Sequence, residues 1–364
     1  MKHYLWIILL LAAGCNTAED LNIKIVDEFL VEFSVTGEYI GYEPLPLCPE
    51  RILIIDSLLI LKNGNMCNDV FFYVYNKING DYLSSFGNRG RGPNEYFAVQ
   101  ESGQYIIKYN ESISLWIRGD RNRLELLNIT SSLKNNDIVI DEKIPVIGQY
   151  IFHPSDLFVL TYGNLIGKAL SEKGRLFHFD MEANHFSRVD YFPEVNILPF
   201  DSEMIPNLYI GPIRIKPDNS KIVSALQLFK QIDVFSVNAD HLFSILFNDS
   251  PRNPQFYTNP ANPIPGDLKH YYYDIYLTDK YIYALNLNIY EDDINKETDT
   301  GYSELHVFSW QGHPLACYRL NHVLYSIAVD EEEGWLYGLL IPTGEYIESN
   351  VVRFKLYDLI QDEQ

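Results

Sequence analysis

Cys15 is the residue whose surroundings prescribe a reaction most plainly. It follows an apolar run from Tyr4 to Leu11 and the small residues Ala12, Ala13 and Gly14, behind a short polar start with Lys2 and His3. Small residues let a peptidase approach the backbone, and a freed cysteine offers a thiol and an amine for acylation, so Cys15 is the expected lipidation site. The run is far shorter than the ~20 apolar residues that a bilayer span requires. A second candidate is FGNRGRGPNEY, Phe86 to Tyr96, where Arg89, Arg91, Asn94, Glu95 and Tyr96 sit among glycines. Its spacing is neither G-x-G-x-x-G nor the P-loop pattern, and no helix is expected after it, so phosphate binding is a poor reading. The glycines suit positive φ and Pro93 fixes its own φ, which marks a tight turn. Arg89, Arg91 and Glu95 are then expected to pair within the loop, or else to line a binding mouth.

Other chemistry is sparse. No G-x-S-x-G elbow or H-E-x-x-H is present, so no catalytic residue is assigned and no metal ligand is expected. The histidines are scattered, as at His153, His178, His241 and His306, and no cysteine–histidine pair has zinc-finger spacing. The acidic stretch EDDINKETD, Glu291 to Asp299, lacks the register of an EF-hand and reads as a solvated loop. Tyr271, Tyr272 and Tyr273 could stack on a sugar but read better as packing. No cofactor is expected. Ca²⁺ is the one cation that the acidic composition leaves open. Cys48, Cys67 and Cys317 read as buried free thiols, although Cys48 and Cys67 flank one expected strand and could pair.

The elements that position these residues repeat. A polar turn followed by a short apolar strand occurs at IDSLLIL (Ile55), NESISLWI (Asn110), PSDLFVLTY (Pro154), KPDNSKIVSAL (Lys216), LTDKYIYAL (Leu277) and DEEEGWLYGLL (Asp330). The spacing is roughly 55 residues, within the range of repeat architectures. Between these units lie hairpin patterns at Phe71–Phe86, Gly174–Phe192, Asp233–Phe247 and Glu304–Leu320, and a last alternating strand at Asn350–Leu359. About four short strands repeated six times give an all-β, six-bladed β-propeller, with seven blades as the alternative. The expected organisation is a signal peptide over 1–14, a lipidated tether over 15–24 and one propeller domain over 25–364.

The Leu-Ala-Ala-Gly-Cys ending resembles the lipobox of bacterial lipoproteins, with Leu11 one position further from the cysteine than usual. The Gly-rich turn Phe86–Tyr96 resembles that of NHL-like propellers. It is closer still to the turn of TolB-like six-bladed propeller lipoproteins of Gram-negative bacteria, as is the hairpin LHVFSWQGHPLACYRL with the following YSIAVDEEEGWLYGLLI. The resemblance implies a propeller on a lipid anchor in the outer membrane and carries no catalytic motif. The net charge of −21 argues against nucleic-acid partners, which need a basic face. The expected partners are the lipid bilayer, through acylated Cys15, and a glycan, peptide or protein ligand. The expected function is a binding or scaffold module. The alternative is a metal-dependent hydrolase or lyase with its site in the central channel.

Overall fold

The computed structural model describes residues 22–66, 70–92, 94–119, 123–145, 156–161, 163–168, 175–189, 209–251, 269–290, 293, 301–340 and 351–357. Cys15, Cys67, Pro93, His153 and most of the acidic stretch from Glu291 lie outside them.

The strands form six sheets, each the blade of a propeller. The N-terminal segment supplies β1 (Ile23–Val26), β2 (Val31–Val35) and β3 (Glu38–Tyr39). Blade one is β4 (Pro49–Ile55), β5 (Leu58–Asn63), β6 (Phe72–Asn76) and β7 (Tyr82–Phe86). Blade two is β8 (Val99–Ile107), β9 (Ile113–Gly119), β10 (Arg123–Asn128) and β11 (Ile140–Pro145), with the short helix α1 (Ile129–Asn135) between its last two strands. Blade three is β12 (Leu157–Thr161), β13 (Asn164–Lys168), β14 (Leu176–Asp180) and β15 (His185–Val189). Blade four is β16 (Ile213–Ile215), β17 (Lys221–Ala225), β18 (Gln231–Ser236) and β19 (His241–Phe247). Blade five is β20 (Lys269–Leu277), β21 (Tyr281–Tyr290), β22 (Ser303–Ser309) and β23 (Pro314–Leu320). Blade six holds β24 (Leu324–Asp330), β25 (Trp335–Leu340) and β26 (Val351–Lys355), and takes β3 as its fourth strand.

That borrowed strand closes the ring. Before reaching it, the N-terminal segment adds β1 in parallel to β19 and β2 in parallel to β23. One strap therefore runs along the outer edges of blades four, five and six. It covers edges that would otherwise present unpaired backbone.

Each blade buries both faces, which explains the unbroken apolar runs. In β4 and β5, Leu53, Ile55, Leu58 and Ile60 pack toward blade two, while Ile52, Ile54, Leu59 and Leu61 pack toward blade six. Alternation with period two sends neighbouring residues to opposite faces, and here both faces are core. Six apolar clusters result, one between each pair of adjacent blades.

The repeated polar turn joins the first strand of a blade to its second. Asp56, Glu111 and Asn219 hold left-handed φ there (55°, 61° and 56°), with Gly163 and Gly334 at the matching turns of blades three and six. Asp and Asn tolerate that region better than most residues, which accounts for Asp56 and Asn219, while Glu111 takes it in blade two and glycine in blades three and six. The third unit is out of step: PSDLFVL supplies the first strand, β12, and the matching turn comes later, at Gly163. The hairpin patterns fall on β6–β7, β14–β15, β18–β19 and β22–β23.

Candidate functional site

Every blade places a polar residue at the propeller axis, on its innermost strand or directly before it. β4 contributes Arg51 and β8 Glu101, Asp156 precedes β12, and β16, β20 and β24 contribute Arg214, Asp274 and Ser326. Asp274 is fully buried and is the hub of the group. Its Oδ1 accepts from Arg51 Nη1 at 2.8 Å, Arg214 Nη2 at 3.2 Å and the Ile275 amide at 2.9 Å. Its Oδ2 accepts from Ser326 Oγ at 3.2 Å and the Ile327 amide at 3.0 Å. Arg51 Nε also donates to Glu101 at 2.9 Å, and Arg214 pairs with Asp156 at 3.5 Å. Burial works against the Arg51 charge, but Asp274 and Glu101 outweigh it and raise its pKa. Arg118 lines the same hollow as Glu101 and Asp156. It brings the group to three cations against three anions.

Next to this group Gln104 bridges three blades. Its amide donates to Val159 O at 2.7 Å and to Asn219 Oδ1 at 2.9 Å, and its oxygen accepts from Val159 N at 2.8 Å. The cavity beside it, lined by Arg51, Gln104, Tyr105, Arg214, Lys216 and Tyr276, measures about 40 Å³. One water needs roughly 10–15 Å³ of such space, so this cavity holds a few waters and not a sugar ring.

The Gly-rich loop joins blade one to blade two, and most of its side chains hold the loop itself. Glu95 Oε2 accepts from the Gly92 amide at 2.7 Å, and its side chain lies so close over Gly90 and Gly92 that a Cβ at either would press on it. Those two glycines serve close packing, and only Gly87 needs its positive φ of 87°. Arg89 donates to Asn65 O and stacks on Phe97 at 5.1 Å. Asn94 donates to Asp137 at 3.2 Å, and the buried Tyr96 hydroxyl donates to Glu125 at 2.6 Å. The expected pairing of Arg91 with Glu95 is not formed: Arg91 is exposed, without an ion pair among the described residues, because the loop's own backbone takes the Glu95 carboxylate.

A second polar group lies on one face of blade five, where Glu304 and His306 alternate along β22, Cys317 faces His306 across β23, and Asn286 faces Glu304 across β21. The donor atoms of Glu304, His306 and Cys317 all lie within 4.8 Å of one another, the one group among the described residues that could hold a metal ion. His306 Nε2 is 3.1 Å from Glu304 Oε2, and its Nδ1 is 3.1 Å from the Tyr272 hydroxyl. Burial lowers the His306 pKa, so a neutral imidazole donates from Nε2 to Glu304. Burial raises Glu304, but His306 and Asn286 outweigh it and hold the carboxyl at about 2. Burial and the nearby Glu304 charge push the Cys317 thiol up to about 12. Spacing could not reveal this group, because the β22–β23 register creates it.

Cys317 is a buried free thiol, as expected. Cys48 is not free but disulfide-bonded. Tyr271 and Tyr272 are buried in the core between blades four and five, whereas Tyr273 is 38% exposed. No helix among the described residues is long and apolar enough to cross a membrane.

Comparison with solved structures returns the same architecture. A Bacteroides fragilis protein described as exported superposes with a TM-score of 0.55 at 12% identity, covering 92% of this chain and all of the other. A member of the DUF4221 family from Bacteroides vulgatus superposes at 0.56 with 11% identity, covering 93% and 98%. No curated protein matches the sequence. The profile of TolB-like 6-blade propeller-like proteins matches residues 45–332, from blade one into blade six. The chain belongs to the TolB-like six-bladed propeller family.

Proposed function

We propose that this protein is an exported, lipid-anchored propeller that acts as a binding or scaffold module for a glycan, peptide or protein. One observation carries the reading: the axis where propellers often hold small ligands is crossed here by a charge-matched group drawn from all six blades, whose members pair with one another. Those side chains brace the ring, which leaves recognition to the outer surface and the loops. The description of the Bacteroides fragilis neighbour as exported, and the short apolar run before Cys15, support export. The anchor rests on Gly14-Cys15. A single acyl chain binds membranes only marginally, so stable retention in the outer membrane calls for more than one at Cys15.

The second reading, a hydrolase or lyase in the channel, draws on the convergence of Glu101, Asp156 and Asp274 on the axis. The guanidiniums of Arg51 and Arg214 occupy the space between those carboxylates, which favours the scaffold reading.

Two measurements test the proposal. Cells labelled with a palmitate analogue should show label on the wild type and none on Cys15→Ser, with the variant lost from the membrane fraction. Persisting label on Cys15→Ser overturns the anchor. The mature chain should bind members of a glycan and peptide array without converting them. Turnover that Asp274→Asn abolishes while the fold persists overturns the scaffold reading.

A further inference from the structure

The polar group on blade five has the makings of a closed site. Cys317 offers sulfur, His306 offers Nε2 and Glu304 offers a carboxylate oxygen, all within 4.8 Å. Asn286 adds an independent observation. It is fully buried and its amide nitrogen donates to Glu304 Oε2 at 2.9 Å, yet its Oδ1 receives no hydrogen bond. A buried acceptor without a donor costs about 1–3 kcal/mol, and a cation seated against it would remove that cost.

We propose that Glu304, His306 and Cys317, with the Asn286 amide oxygen, form a structural Zn²⁺ site. The donor set is one sulfur, one imidazole nitrogen and two oxygens. Soft thiolate with imidazole selects zinc over calcium, which takes oxygen ligands. Zinc bonds of about 2.0–2.3 Å in a tetrahedron set donors roughly 3.3–3.7 Å apart. The His306–Glu304 separation of 3.1 Å is close to that already, and with all three donors within 4.8 Å none has to approach another by more than about 1–1.5 Å. Zinc on Nε2 requires the proton on Nδ1, and Tyr272 stands 3.1 Å from Nδ1 to accept it. Such an outer partner fixes the ring and its tautomer in most histidine sites.

The surroundings fit a closed structural site. Phe29, between β1 and β2 of the strap, lies over the His306 ring at 4.7 Å, and Phe247 stacks at 5.4 Å. Glu304 keeps a fifth of its side chain exposed, which gives the ion an entry path. Bound zinc would join β21, β22 and β23 beneath the strap and so tie the ring's outer closure to blade five.

The test uses the mature chain with its disulfide intact, stripped with a chelator and then given Zn²⁺ or Co²⁺. After dialysis the wild type should retain about one equivalent of zinc, melt at a higher temperature, and show a cobalt–thiolate charge-transfer band. Zinc should also slow alkylation of Cys317, read by peptide mass mapping. Cys317→Ser should keep the native circular dichroism spectrum, because no hydrogen bond ends on the thiol among the described contacts, and should lose the cobalt band and the thermal shift. Wild-type protein that retains no zinc overturns the proposal without recourse to any variant. Equal retention by wild type and Cys317→Ser/Glu304→Gln overturns it as well.

Discussion

Replacing Asp274 with asparagine should destabilise the propeller by about 3–5 kcal/mol, the cost of leaving buried charge without its partner. The structure gives the reason. Asp274 is fully buried and accepts five hydrogen bonds, two of them from guanidiniums. Asparagine has one acceptor oxygen. If that oxygen faces Arg51, Arg214 and the Ile275 amide, the new NH₂ opposes the Ile327 amide, donor against donor. If it faces Ile327, the NH₂ opposes both arginines. Either way the group turns from three anions and three cations to two against three. Adding Arg51→Met to Asp274→Asn should cost less than the two changes summed, with a coupling of about 1–3 kcal/mol. Asp249→Ala is the internal control. Asp249 pairs with Lys230 at 3.1 Å, but its side chain is 68% exposed, and such pairs are worth about 0–1 kcal/mol. Urea unfolding followed by tryptophan fluorescence and far-ultraviolet circular dichroism reads the wild type, Asp274→Asn, Arg51→Met, the double variant and Asp249→Ala. A loss below about 1 kcal/mol for Asp274→Asn, no larger than for Asp249→Ala, would refute the view that the axis is a desolvated brace.

Three further outcomes are expected. In the Gly-rich loop, Arg91→Ala should change stability by less than about 0.5 kcal/mol, as surface substitutions do, whereas Glu95→Ala removes the acceptor of the Gly92 amide and should cost about 1 kcal/mol in urea unfolding. Gly211→Ala should lower the melting temperature by many degrees, because its φ of 148° is hostile to a side chain and the new Cβ would collide with the Ala225 carbonyl. Burial lowers the Lys168 pKa from 10.5 to about 8, with Nζ donating to Gly211 O at 2.5 Å. Below pH 8 folded and unfolded chains both hold the proton. Above it the folded chain releases the proton first, so stability should rise by up to about 1.4 kcal/mol per pH unit between 8 and 9.5. Lys168→Met should abolish that rise, and an unchanged pH profile would show that Lys168 is hydrated.

The repeat was legible along the chain because its causes are local. A two-residue period places apolar side chains on both faces of a blade, and left-handed turns select Asp, Asn and Gly, so IDSLLIL and the hairpins announce strands and turns without reference to distant residues. Where the signal is weaker the register slipped: in blade three a polar stretch before β12 resembled the recurring turn, and the true turn at Gly163 carries no Asp. The seven residues of α1, capped by Asn128 and Asn136, were too short to show a helical stripe. The strap's parallel pairing was not legible, since a parallel edge strand can join any open edge and nothing near β1 specifies β19.

Both polar groups belong to the tertiary structure alone. Arg51 and Asp274 are 223 residues apart, and only ring closure brings the first strands of six blades to one axis. Within any one blade nothing distinguishes the axial residue: β8 alone carries Gln100, Glu101, Ser102 and Gln104, and β20 carries Lys269 and His270 beside Asp274. Glu304, His306, Cys317 and Asn286 meet because of the registers of β21, β22 and β23, and a one-residue slip in any of those pairings would send the side chains to the opposite face. Local physics therefore determined which segments become blades, while closure and register decided which side chains face one another in the dry spaces between them.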